Sequence, residues 1–243
     1  MIESGPGRFF VAESAEGGIS GVLHDGPNLV FAVRRVEDVD AFSSSGLGGR
    51  ATRMIVGPRA AVERFWTAAH RRFAYPSLLR DSQPVYALTR GALLQDDASA
   101  AGAFDVGLAS LDELDELALQ ALRMSAGEFG AQPPLRVDSV FRSRTARTIS
   151  AGRFWRARRD GALLFQCYVG AHTEQTAQIQ GVWAPPEARG RGDATRAFAA
   201  ICKALLATHP TLSLYVNDFN ERAIALYERV GFTRVSEFAS VIF

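Results

Sequence analysis

The beginning of the chain is patterned as short strands separated by tight turns. Apolar and β-favouring residues cluster over 8–12, 18–23 and 29–33. Glu16-Gly17 and Asp25-Gly26 lie between these stretches, and a polar residue followed by glycine is a signal for a hairpin turn. We therefore predict an antiparallel meander for this part of the chain.

The rest of the N-terminal part alternates helices and strands. We predict a helix over 36–42, a Ser/Gly-rich loop over 43–50, a strand over 52–56, a helix that begins at Pro58 and a strand over 85–94. This order of elements is similar to the order that we predict for the end of the chain. The N-terminal part is therefore expected to be a degenerate copy of the C-terminal fold.

A small, polar stretch at 96–103 is the predicted linker between two domains. The elements predicted after it are a strand over 104–109, a helix opened by a capping box from Ser110 to Glu113, a loop over 128–134, a helix over 137–150, and a hairpin of 152–158 with 162–170 that turns at Asp160-Gly161.

The most informative stretch begins with a strand over 178–184, which ends at Pro185-Pro186 because proline cannot donate to a strand ladder. Residues 189–194 then turn directly into a helix, with small residues at 190, 192 and 194 that let the backbone approach a ligand closely. A helix N-terminus offers unpaired N–H groups and a partial positive charge. Together these features predict a pyrophosphate cradle, with Arg189 and Arg191 beside it.

The elements after this loop follow the same logic. Apolar residues at helical spacing predict a helix over 192–208, and alternation predicts a strand over 211–217. Asn220 is a good N-cap for a helix over 221–229, which Gly231 closes. One or two terminal strands are predicted over 232–243.

Composition narrows the class of protein. Hydrophobic residues make up 47% of the chain and the net charge is +1, which argues for a globular protein and against a nucleic-acid surface. No apolar run reaches the length of a membrane span, and the N-terminus lacks the pattern of a secretory signal. We expect a cytoplasmic protein without a membrane partner.

A glycine-containing turn between a strand and a helix is also what any tight connection needs, so the loop alone does not identify a ligand. The ordered set of motifs is more specific. It consists of Arg189, Gly192 and Ala194 in the pattern Arg/Gln-x-x-Gly-x-Gly/Ala, followed by Asn220, Ala223, Tyr227, Gly231 and Phe232. With these residues, 104–243 resembles the GCN5-related N-acetyltransferase (GNAT) superfamily. The C-terminal end resembles a bacterial subgroup in which an uncharacterised N-terminal domain precedes the GNAT domain.

The resemblance implies an α/β (α+β) GNAT fold, with a mixed central sheet in which two parallel strands splay apart, flanked by helices. The domains would be a smaller, degenerate GNAT-like α/β domain over 1–95, the linker over 96–103 and the GNAT domain over 104–243. We do not expect the first domain to bind a cofactor, because Glu37, Asp38 and Asp40 fall where its phosphate loop would be.

The resemblance also implies acetyl-CoA as co-substrate, no metal, and transfer of the acetyl group to a primary amine by direct attack. Tyr227 would protonate the leaving thiolate, and an N–H near Val182 would stabilise the oxyanion. The residues implied to bind acetyl-CoA are Val182, Trp183, Ala184, Arg189, Gly190, Arg191, Gly192, Asp193, Ala194, Thr195, Asn220 and Tyr227.

The general base is open. The strand before the loop carries Gln178 and Gln180, which cannot take a proton, so Glu174, His172 or a water chain would have to act. A solvated loop is the plainer interpretation of Glu174 and His172. The acceptor is predicted to be a small molecule, an amino acid or a peptide, and a homodimer is left open. The alternatives are a non-catalytic acyl-CoA-binding module and the same fold with another acyl donor.

Overall fold

The structure is a computed structural model that describes residues 7–14, 16–93, 104–128 and 137–243. The predicted linker at 96–103 and most of the predicted loop at 128–134 lie outside these residues. Contacts divide the chain into two compact units. The first contains Ile2–Tyr86, Tyr215–Ile224 and Arg234–Phe243, and the second contains Ala87–Leu214 and Ala225–Thr233. We call them the N-terminal and the C-terminal unit.

The elements are, in chain order, β1 (Arg8–Glu13), β2 (Ile19–Asp25), β3 (Asn28–Val33), α1 (Val39–Ser44), β4 (Met54–Pro58), α2 (Arg59–Ala69), β5 (Leu78–Thr89), β6 (Asp105–Leu108), α3 (Leu114–Glu128), α4 (Ser139–Ser150), β7 (Phe154–Arg159), β8 (Ala162–His172), β9 (Thr176–Trp183), α5 (Asp193–Leu205), β10 (Thr211–Tyr215), α6 (Glu221–Val230) and β11 (Thr233–Ile242).

The N-terminal unit is a mixed sheet in the order β1-β2-β3-β4-β11-β5. The first three strands form the predicted antiparallel meander. Strand β4 pairs in parallel with β3, and α1 lies between these two strands in the chain. Its core contains Phe31 and Ile55 from the sheet and Phe65 from α2, all fully or almost fully buried. The helix α2 reaches this core because its apolar residues recur at helical spacing on one side.

The C-terminal unit carries the sheet order β10-β9-β8-β7-β6. From β6 to β9, each strand is antiparallel to the next one in the sheet. Strand β9 runs parallel to β10, and α5 lies between these two strands in the chain. The helices α3 and α4 precede the β7–β8 hairpin, as predicted. The capping box at the start of this helical segment is confirmed, because Ser110 and Glu113 each bond the other's backbone.

Strands β9 and β10 diverge soon after they begin. In the described chain they are in register at three pairs only, and the last joins Gln178 to Ser213. The strand β9 nevertheless continues to Trp183 and stays paired there with Gln166 of β8. The predicted splaying of the two parallel strands is therefore confirmed, and the split opens toward the end of β9 that leads into the glycine-containing loop.

Two stretches of the chain repeat one order of elements. β3-α1-β4-α2-β5 matches β9-α5-β10-α6-β11, and in each case the first two strands are parallel. The degenerate repeat predicted from the sequence is thus seen in the fold. One or two strands were predicted after α6, and the structure has one, β11. It pairs with β4 of the N-terminal unit, a partner that the sequence did not predict. The predicted domain bounds place this strand in the second domain, and they stay a prediction.

Candidate active site

A sharp kink near the end of β9 shapes one wall of the split. Gly181 has a φ of +63°, in the left-handed region. A side chain at this position would overlap the Tyr168 ring, whose Cδ1 lies 2.6 Å from the place of a Cβ atom. The register between β8 and β9 also shifts on both sides of Tyr168. The kink turns the backbone of Val182 and Ala184, two of the residues predicted to bind acetyl-CoA, relative to the first half of the strand.

The loop after β9 is built for close approach of a ligand to the backbone. A 3-10 turn over Pro186–Ala188 leads into it, and Gly190 and Gly192 have φ values of +84° and +77°. Gly192 is the N-cap of α5 and has no side chain with which to satisfy the first-turn N–H groups. Ala194 and Thr195 follow in that turn. The arrangement fits an anion such as a diphosphate.

Arg189 holds the loop against the end of β9. Its Nε donates to the carbonyl oxygen of Ala184 at 2.9 Å, and its guanidinium lies over the Trp183 ring at 4.4 Å from the centroid. The Trp183 indole in turn donates to Oε1 of Gln120, a buried residue of α3, at 3.0 Å. Arg189 therefore positions the loop. Arg191 is exposed.

Asp193, the first residue of α5, is a buried carboxylate between two guanidinium groups. Arg159 of β7 donates to one oxygen at 3.0 Å, and Arg196 donates to the other at 2.6 Å. Burial acts to raise the pKa of Asp193, but the hydrogen bonds from Arg196 and Arg159 outweigh burial and hold the pKa below its usual value. No sequence motif pointed to Arg159 or Gln120, because each reaches the loop from a distant part of the chain.

Asn220 lies just before α6, the helix that follows β10, and Tyr227 lies within this helix. Tyr227 is 5% exposed, with its ring centroid 6.0 Å from those of Phe198 and Phe232. The predicted N-cap is confirmed, because Oδ1 of Asn220 accepts a hydrogen bond from the N–H of Ala223 at 3.2 Å. Asn220 thus starts the helix that carries Tyr227.

Glu174 lies in the turn before β9, next to the place where β9 and β10 are still paired. The N–H of Thr211 donates to the carbonyl oxygen of Gln175 in this turn. The strand β9 extends about 23 Å from Thr176 to Trp183 at 3.3 Å per residue. Glu174 and the loop thus lie beyond opposite ends of β9, and the role of Glu174 as a base stays a prediction. His172 lies in the same region, with its ring 5.9 Å from that of His209.

The corresponding place in the N-terminal unit is closed. A side chain at Gly57 of β4 would lie 3.2 Å from the carbonyl oxygen of Phe31 in β3, so the two strands remain in close contact there. Two of the acidic residues that follow β3 are paired with arginine side chains. Arg35 pairs with Glu37 at 3.4 Å, and Arg64 binds Asp40 through two hydrogen bonds. That this unit does not bind the cofactor stays a prediction.

Two family models match successive parts of the chain. Residues 7–117 match a domain of unknown function, DUF4081, and residues 119–232 match the acetyltransferase (GNAT) family. Residues 119–232 form a GNAT-family acyltransferase domain. The resemblance seen in the sequence is confirmed, including the N-terminal domain that precedes the GNAT domain.

Individual relatives are more distant. Over 85 residues the chain is 38% identical to a mycothiol acetyltransferase from Acidimicrobium ferrooxidans, and the match spans 32% of this chain and only 27% of that relative. A putative GNAT acetyltransferase from Novosphingobium aromaticivorans shares the fold with a TM-score of 0.53 and 20% identity, covering 90% of this chain and 86% of the other.

A tandem GNAT protein from the clavulanic acid biosynthesis pathway has a TM-score of 0.52 and 14% identity to this chain. The likeness covers 98% of this chain and 83% of that protein. At this identity the likeness shows the fold alone. It agrees with the order of elements that the chain repeats. Within the described ranges, no helix combines the length and the apolar character needed to cross a membrane.

Proposed function

We propose that this protein transfers an acetyl group from acetyl-CoA to a primary amine. The observation that carries the proposal is the split between β9 and β10, which begins beyond Gln178 and Ser213 and opens toward the glycine-containing loop at the start of α5. A pantetheine arm would fill the split as an added strand, and the diphosphate would lie on the loop 189–195.

The residues proposed for this site suit the chemistry. Acetyl-CoA supplies the thioester, and the amine of the acceptor attacks its carbonyl carbon directly in a ternary complex. An N–H near Val182 would donate to the oxyanion that forms. The carbon–sulfur bond then breaks, and the Tyr227 hydroxyl would give its proton to the leaving thiolate. The attacking nitrogen would lose its extra proton to Glu174, His172 or a water chain, and a proton from solvent would restore the Tyr227 hydroxyl.

The acceptor is proposed to be a low-pKa amine on a small molecule, an amino acid or a peptide. The site strand carries Gln178 and Gln180, whose side chains bond each other at 2.8 Å and cannot act as a base. Removing the proton from an amine with a pKa near 8 costs only about 1 kcal/mol at pH 7, against about 4–5 kcal/mol for a lysine-like amine. The name of the mycothiol acetyltransferase supports an acetyl donor and a small-molecule acceptor. The proposed location is the cytoplasm.

The test is thiol release from acetyl-CoA across a panel of amines, with the Tyr227→Phe variant beside the unmodified protein. A general acid contributes about 10²- to 10⁴-fold, so the variant is expected to lose a factor in that range. Tyr75→Phe is the matched control, because Tyr75 is 94% exposed and its hydroxyl is not placed at the site. An activity that Tyr227→Phe leaves unchanged would remove Tyr227 from the mechanism.

A second candidate is a non-catalytic acyl-CoA-binding module. The glutamine pair on β9 favours it, because this strand offers no carboxylate to accept the amine's proton. The same assay separates the two candidates. Binding of CoA without thiol release for any amine favours the binding module, and release that depends on an amine favours the transferase.

A further inference from the structure

The carboxylate of Asp193 stands where a diphosphate-binding loop should avoid negative charge. Asp193 is the first residue of α5 and follows the left-handed Gly192 directly. A carboxylate at this position is attracted to the partial positive charge of the helix N-terminus. It would therefore compete with an anionic ligand for the first-turn N–H groups, and it would repel that ligand at short range.

The structure shows what holds the carboxylate aside. Its two oxygens are divided between Arg159, at 3.0 Å, and Arg196, at 2.6 Å. The Asp193 side chain is 10% exposed, whereas the two arginine side chains are 33% and 34% exposed. Both guanidinium groups thus reach from a buried carboxylate to the surface beside the loop.

Arg159 is itself fixed in place. It is the last residue of β7, and its guanidinium lies over the Phe104 ring at 4.6 Å from the centroid. Arg196 sits on α5 three residues after Asp193, so it moves with the helix, whereas Arg159 belongs to the sheet. The ion pair of Arg159 with Asp193 therefore ties the first turn of α5 to a strand that is not part of the loop.

The two arginines together make the charge at the loop positive. Asp193 alone would place one negative charge beside the cradle, but two guanidinium groups and one carboxylate leave a net charge of +1. Without Arg159, the remaining pair of Asp193 and Arg196 would be neutral. The carboxylate oxygen released from Arg159 would then be able to turn toward the N–H groups of the helix.

We propose that Arg159 is a positioning residue of the cofactor loop, which holds Asp193 away from the first-turn N–H groups of α5 and keeps them open for a diphosphate. The inference rests on the proposed function, because CoA supplies that diphosphate. It assigns a role to a residue outside the family motif and explains how an aspartate is tolerated inside the motif.

The test is calorimetric titration of CoA into the full chain and four variants. These are Arg159→Met, Asp193→Asn, the double variant that combines them, and Arg144→Met as the control. Arg144 is an exposed arginine of α4. We expect Arg159→Met to weaken CoA binding about tenfold, because the loop loses one positive charge and the released carboxylate competes with the diphosphate for the N–H groups. Arg144→Met is expected to stay within about threefold of the unmodified protein. Asp193→Asn is expected to bind CoA at least as tightly as the unmodified protein, because it removes a negative charge beside the diphosphate.

The double variant decides the mechanism. If Arg159 acts by restraining Asp193, removing the charge of Asp193 restores binding to within about threefold of Asp193→Asn alone. A merely structural role would not be rescued in this way. A double variant as weak as Arg159→Met overturns the inference, and so does Arg159→Met that binds as tightly as the unmodified protein. If Arg159→Met does not fold, Arg159→Gln and its combination with Asp193→Asn are compared with the same criteria.

The outcomes also separate this inference from the proposed function. If the unmodified protein binds CoA and the variants behave otherwise than expected, the role of Arg159 is wrong while the cofactor site stands. If the unmodified protein gives no heat with CoA, the proposed function is overturned, and the role of Arg159 is overturned with it.

Discussion

Gly181 is the residue at which β9 kinks, and replacing it with alanine tests whether the kink is required. The left-handed backbone of Gly181, with a φ of +63°, disfavours any side chain. The new Cβ atom would also overlap the Tyr168 ring, with Cδ1 at 2.6 Å. That ring cannot move freely, because it is stacked on Phe154 with centroids 6.0 Å apart.

The expected loss combines two contributions. An L-residue in the left-handed region costs about 1–2 kcal/mol, and overpacking a filled site costs about 1–3 kcal/mol. Gly161 provides the matched control, since its φ is +79° but no atom lies within 4 Å of the place of a Cβ atom. Gly161→Ala is therefore expected to cost only about 1–2 kcal/mol, and Gly181→Ala about 2–5 kcal/mol.

The assay is thermal unfolding followed by circular dichroism. For a chain of this size, 1 kcal/mol corresponds to about 2–4 °C in Tm. Gly181→Ala is expected to lower the Tm by several degrees more than Gly161→Ala, and to weaken CoA binding because Val182 and Ala184 change direction. Adding Tyr168→Ala to Gly181→Ala should reduce the clash. Equal losses of Tm in Gly181→Ala and Gly161→Ala would refute the role given to the Tyr168 ring.

Two further substitutions test contacts near the site and away from it. Trp183→Phe removes the indole donor and leaves Oε1 of buried Gln120 without it, which should cost about 1–3 kcal/mol in urea unfolding; an unchanged midpoint would contradict this. Glu113→Gln weakens the bonds to Ser110, Arg156 and Arg158, and should cost about 1–3 kcal/mol at pH 7. Burial acts to raise the pKa of Glu113, but these bonds hold the pKa below its usual value. The stabilisation from the charged carboxylate is therefore present above about pH 4.3 and is lost as the pH falls further. The difference from the unmodified protein should narrow below about pH 4, and a constant difference would contradict the assignment.

The elements around the split could be predicted from local patterns. Alternation identified the strand that became β10, and the end of the strand at Pro185-Pro186 marked the strand that became β9. The glycines predicted to shape the turn before α5 have the left-handed backbone that glycine favours. The predicted strand at 85–94 was displaced, since the observed β5 is Leu78–Thr89. The first half of β5 is mostly polar, and Pro84 follows in the middle of the strand, where proline usually argues against a strand. Here the Pro84 carbonyl oxygen accepts a bond from the N–H of Val216.

The contacts that fix the loop could not be predicted in the same way. Gln120 lies 63 residues before Trp183, and Arg159 lies 34 residues before Asp193. No periodicity records such pairs, because they depend on how the helices pack on the sheet.

The most direct test of the account is a titration of CoA into isotope-labelled protein, followed through the backbone amide resonances. We predict that the amides of Gly190, Gly192 and Ala194 shift, together with those of Val182 and Ala184, while the amides of Glu37 and Asp40 in the N-terminal unit do not. Shifts confined to the N-terminal unit, or no shift in the loop at saturating CoA, would contradict the claim that this loop and the split beside it hold the cofactor.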